Sequence, residues 1–69
     1  MNPPAIDIPE DLLWALDMDA KASAAFEKIS SSHRQEYITW IERARQPITR
    51  ARRLQEALKM MAEGKRLLS

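Results

Sequence analysis

Residues 30–53 read SSSHRQEYITWIERARQPITRARR. At about 100° per residue, His33, Tyr37, Trp40, Ile41 and Ala44 fall on one side of a helix, and Gln35, Thr39 and Glu42 on the other. Arg34 and Ile38 flank the apolar side. Pro47 stops this helix, because the residue before a proline is pushed out of the α region. The spacing predicts a helix to about Arg45, a break at Gln46-Pro47, and a second helix over 48–63. On that second helix Ala51, Leu54, Ala57, Leu58 and Met61 line up. Gly64 is placed to cap it in a left-handed conformation. At the front of the stretch, Ser32 and Gln35 have capping-box spacing, while Ser30 would start the helix two residues earlier. Both starts fit the sequence.

Two shorter helices are expected before this hairpin. Pro9 suits the first position of a helix over 9–16, since its missing N–H would be unpaired there. Glu10 and Asp11 put negative charge at the positive end of that helix. Leu12, Leu13 and Leu16 are assigned to its buried face, with Trp14 pointing roughly away from them, either partly covered by the leader or part of a contact surface. Asp19 is the expected N-cap of a helix over 20–29, whose apolar edge is Ala22, Ala25, Phe26 and Ile29. Phe26 is expected at the centre of the core. Residues 1–6 carry Pro3 and Pro4 and no packing period, so they read as a flexible leader. Residues 7–69 read as a single helical domain.

Composition agrees with an all-α chain. The 69 residues are 45% hydrophobic and 30% charged, with one glycine, which suits a globular helical domain better than disorder or a sheet. Valine is absent and β-branched residues are sparse. There is no cysteine, so neither disulfides nor thiolate metal ligation can support so short a chain. Apolar helix packing must do so. The expected architecture is a small four-helix domain, with two short N-terminal helices packed on a longer helical hairpin. No apolar run approaches the ~18 residues that a membrane span needs. The N-terminal residues show no basic or apolar export segment, so membrane insertion is not expected and a cytoplasmic location is.

Little in the sequence points to a reaction. His33 is the one imidazole, there is no Gly-x-Ser-x-Gly turn and there is no glycine-rich phosphate loop. No catalytic residue, metal ligand or cofactor is expected. His33 is expected to pack on Tyr37, and Tyr37 and Trp40 to be core aromatics with their polar tips reaching a partner.

Charge is distributed unevenly. Residues 1–32 hold two lysines against six carboxylates, and residues 33–69 hold nine Arg and Lys against four. Arg43, Arg45, Arg50, Arg52 and Arg53 crowd the hairpin. Arg52 faces solvent, whereas Arg50 falls beside Leu54 and Ala57 on the apolar side. A guanidinium there needs a partner. Glu36 is the expected acceptor, giving a structural Arg50–Glu36 pair, or an Arg53–Glu36 pair, between the last two helices. Arg45, Arg50, Arg52 and Arg53, with Trp14, are the candidate binding residues. They describe a non-enzymatic interaction module with an arginine-rich face for a protein or anionic partner. The alternative reading is a nucleic-acid-binding domain that uses the last two helices as a helix-turn-helix.

Leu12, Ala15 and Leu16, then Phe26, Ser30, Ser32, Glu36-Tyr37, Trp40-Ile41, Ala44-Arg45, Thr49-Arg50 and Arg53, carry a resemblance. Over about residues 7–65 the chain resembles the bacteriocin-protection, YdeI/OmpD-associated family of small bacterial proteins. Family members often have proline where Ser31 stands, which would put the cap at Ser30. Trp14 replaces a residue that is usually smaller or polar. The resemblance implies a helical module, often found behind a small β domain in a longer chain, so an adjacent β domain is one expected partner. The family's name suggests an envelope role and association with an outer-membrane porin. The family supplies no catalytic residues to carry over.

Overall fold

Asp19 and Ser30 set two of the helix starts. The Asp19 carboxylate accepts from the Ala22 N–H at 3.0 Å, and the Ser30 hydroxyl accepts from the His33 N–H at 3.1 Å. Each satisfies a backbone donor that the first turn of a helix leaves without a partner. Of the two serine starts that the sequence allowed, Ser30 is the cap, and the helix begins at Ser31. The computed structural model describes residues 8–65. The expected leader over 1–6 and the basic residue Arg66 lie outside the described residues.

The described chain has four helices and no strand: α1 (Glu10–Asp17), α2 (Ala20–Lys28), α3 (Ser31–Glu42) and α4 (Pro47–Ala62). The fold is all-α, as expected. Pro47 is the first residue of α4, where a missing N–H leaves no bond unmade. α3 ends at Glu42 with Arg43 as its C-cap, short of the expected Arg45. The four residues from Arg43 to Gln46 then turn the chain into α4.

α4 packs against each of the other three helices, and α1 also packs on α2. The core between them takes Leu12 and Leu16 from α1, and Ala22 and Phe26 from α2. Tyr37, Ile38 and Ile41 enter from α3, and Ala57, Leu58 and Met61 from α4. Tyr37 and Ile41 are fully buried, and Phe26 nearly so. Removing such a side chain from water contributes ~1.5–3 kcal/mol, which in a chain this short is a large share of the total stability.

Three expected core positions differ. Leu13 is 52% exposed, because Leu12 and Leu16, four apart, already aim α1 at the core and Leu13 sits about 100° round from Leu12. Ala51 is exposed. Trp40 is only half-buried, flanking the core.

The C-terminal end of α4 is closed by Gly64 at φ +73°, a left-handed conformation that glycine adopts without steric cost. The Gly64 N–H donates to the Met61 carbonyl at 3.0 Å and the Lys65 N–H to the Met60 carbonyl at 2.8 Å, a Schellman pattern. The Tyr37 hydroxyl donates to the Lys65 carbonyl, so the buried phenol of α3 fastens the chain just past this cap. His33 stacks on the same ring, with centroids 5.2 Å apart and planes 20° from parallel. Among the described residues no helix is long and apolar enough to cross a membrane.

Candidate functional site

The arginines divide into structural and exposed groups. Arg50 is turned inward, as its helical position required, but its acceptor is Asp11 of α1 and not Glu36 of α3. Its Nε lies 2.7 Å from Asp11 Oδ2 and its Nη2 3.1 Å from Oδ1. Asp11 Oδ1 also accepts from the Leu12 N–H at 2.9 Å. The hydrogen bond from Arg50 is the main reason the Asp11 carboxyl lies below its ordinary pKa. The same bond raises that of Arg50. Glu36 has interactions of its own, and its charge adds to burial in pushing the Tyr37 phenol upward.

Arg53 is not on Glu36 either. Its Nη1 donates to the Trp40 carbonyl at 2.8 Å, and its guanidinium lies 5.4 Å from the centroid of the Trp40 ring. One cation thereby satisfies a carbonyl near the end of α3 and stacks over the ring of a half-buried indole. Arg45 and Arg52 are exposed, and neither takes part in an ion pair among the described residues. Of the four candidate binding arginines, Arg50 and Arg53 anchor helices, and Arg45 and Arg52 are open.

Arg34 was not singled out in the sequence. Its Nε donates to the Phe26 carbonyl and its Nη2 to the Glu27 carbonyl, both at 2.8 Å, and its guanidinium lies 5.4 Å from the Phe26 centroid. It caps the C-terminal end of α2 from the first turn of α3. The signal for it was the very short link between the two helices, which brings α3's first basic residue beside the carbonyls that end α2.

The open apolar surface is on the other side of the sequence, at α1. With Leu12 and Leu16 inward, Trp14 is 70% exposed, and Met18, just past the helix, is 83% exposed. Trp14 was expected to point away from the core, and it does. Leu13, Trp14, Leu16 and Phe26 line a groove of about 610 Å³ between α1 and α2, with Ile8 at the chain's entry to α1. Its remaining walls are Asp17, Ser23, Glu27 and Arg34. Ile48, at the start of α4, is also largely exposed, but it does not line this groove. Among the described residues no group of three His, Asp or Glu could hold a metal ion.

A family model described as bacteriocin-protection, YdeI or OmpD-associated matches residues 5–64. No curated protein and no solved structure matches the chain.

Proposed function

Given that the chain belongs to the bacteriocin-protection, YdeI or OmpD-associated family, we propose that it is a non-enzymatic helical interaction module that docks a protein partner in the α1–α2 groove. The observation that carries this reading is Trp14. A large apolar ring stands mostly in solvent and, with Leu13, lines a groove that the core residue Phe26 also lines. Aromatic rings dominate the energetics of protein interfaces when a partner covers them. An exposed apolar surface rimmed by polar residues is the usual mark of such a site. A cytoplasmic setting belongs to the same proposal and is checked by cell fractionation.

The test is a photo-crosslinking residue at position 14, compared with one at position 52, in cells that make the protein. The reading expects a discrete protein adduct from position 14 and none from position 52. Adducts from position 52 alone would move the docking face to the open arginines. The nucleic-acid reading is kept for one observation, the exposure of Arg45 and Arg52 on the α3–α4 unit. It requires affinity for a random duplex that falls steeply with salt as counterions are released.

A further inference from the structure

We infer that the occupant of the α1–α2 groove is a basic amphipathic helix of a partner protein. The inference rests on the docking reading above and adds the chemistry of the partner. It follows from where the charges stand around the apolar strip. On α1, Asp17 lines the groove on the flank that carries Leu13, and it is exposed. On α2, Glu27 lines the groove four residues after Ser23, and it too is exposed.

The lysines of α2 do not balance them. Lys21 and Lys28 are seven apart, share one side of α2, and line no part of the groove. At helical spacing they lie roughly opposite the Ser23–Glu27 edge. Among the described residues Arg34 is the single cation in the lining, and its Nε and Nη2 are engaged by the carbonyls of Phe26 and Glu27. An apolar strip between carboxylates selects a segment whose apolar residues recur at three- and four-residue spacing with Lys or Arg on the flanks. Cationic flanks meet Asp17 and Glu27, and like-charged ones are repelled, so the rim sets specificity while Trp14 and Leu13 supply contact area. An extended peptide is disfavoured, because no sheet edge stands among the described elements to pair its backbone.

The experiment is calorimetric titration of the full chain with two synthetic helical peptides of one pattern, leucine–lysine and leucine–glutamate. The lysine peptide is expected to bind the wild type, and the glutamate peptide to bind at least about tenfold more weakly. Trp14→Ala should abolish binding. The Asp17→Lys, Glu27→Lys double variant should reverse the preference, with circular dichroism confirming that these exposed changes leave the helices intact. Arg52→Glu should leave the affinity unchanged.

If the glutamate peptide binds equally well, the charge inference fails while groove docking stands. If neither peptide binds, or Trp14→Ala binds as the wild type does, the groove is not the docking face and both readings fall. A second copy as occupant would appear as self-association in sedimentation that Trp14→Ala removes, and this also overturns the inference. Occupation by the chain's own N-terminal residues would show as iodide-inaccessible Trp14 fluorescence in the free Trp40→Phe protein, and that result would overturn it too.

Discussion

Arg50 and Asp11 stand 39 residues apart in sequence and meet in a two-pronged ion pair, with Nε 2.7 Å from one carboxylate oxygen and Nη2 3.1 Å from the other. The pair ties the first turn of α1 to the first turns of α4, the helix against which everything else packs. Both side chains remain about a third exposed. Solvent therefore screens the pair, and its coupling should be ~1 kcal/mol, toward the upper end for a bidentate surface pair. A double-mutant cycle on Arg50→Ala and Asp11→Ala, followed by urea unfolding, measures it. Arg50→Lys should lose most of that coupling, since an ammonium cannot match the fork. A coupling of zero would make the contact incidental.

The same pair sets an acid limb. Asp11 has a folded-state pKa below its ordinary value of 3.8, chiefly through the Arg50 hydrogen bond. A depressed carboxyl contributes stability that is full above the unfolded value and is lost as pH falls through the folded one. Stability should therefore drop as pH is lowered below about 3.8, and the drop should be shallower in Asp11→Asn. Equal slopes in the two proteins would mean that other carboxylates carry the acid transition.

Tyr37 sets an alkaline limb of opposite sign. Burial, then the charge of Glu36, holds its pKa above the ordinary 10.0. The fold favours the neutral phenol, so the contribution is intact below about 10.0 and is lost as pH rises through the folded value. Tyr37→Phe should flatten that loss. At neutral pH it should cost ~1 kcal/mol, because the hydroxyl's bond to the Lys65 carbonyl is removed. Phenolate absorbance in the folded protein should appear only above the ordinary range.

Ser30 and Ser32 give a sharp pair of opposites. Ser30→Ala removes the acceptor for the His33 N–H and should destabilise by ~1 kcal/mol. Ser32→Ala, at an exposed position inside α3, should be near neutral or slightly stabilising. Thermal melts of the two single variants decide it, and equal losses would mean that the start of α3 is shared between the serines.

The helices were legible because their ends are written locally. Asp19, Ser30 and Gly64 each act on backbone groups within a few residues, and each stands where the sequence placed it or in one of the two positions it allowed, whereas Pro47, expected to stop α3, instead opens α4 after four intervening residues. The inward turn of Arg50 was legible for the same reason, being a matter of angle along one helix. Its partner was not. Asp11 read as a charge complementing the dipole of α1, and nothing local brings α1 to the start of α4. Glu36 was nearer in sequence and on a neighbouring helix, but only the packing of α1 on α4 decides which carboxylate arrives.

The groove was half legible. Trp14 stood out as exposed from the α1 period alone. Leu13 reads as core because three leucines within five residues look like one stripe, but α1 buries its Leu12–Leu16 edge against α2 and α4 and leaves Leu13 at the margin. Arg34 lacked a motif, and its role emerges from the closeness of two helix ends. Arg53 was less legible than Arg50, because the carbonyl-rich end of α3 draws in a guanidinium that no local spacing marks.

The proposal is that a partner docks in the tryptophan-bearing groove flanked by Asp17 and Glu27, while Arg34, Arg50 and Arg53 hold helices together. Chemical-shift mapping by NMR with the leucine–lysine peptide tests this most directly. Perturbations should concentrate on the Trp14 indole and on the amides of Leu13, Asp17, Ser23 and Glu27, leaving residues 43–53 nearly still. Shifts centred on Arg45 and Arg52, with a silent Trp14 indole, would contradict it.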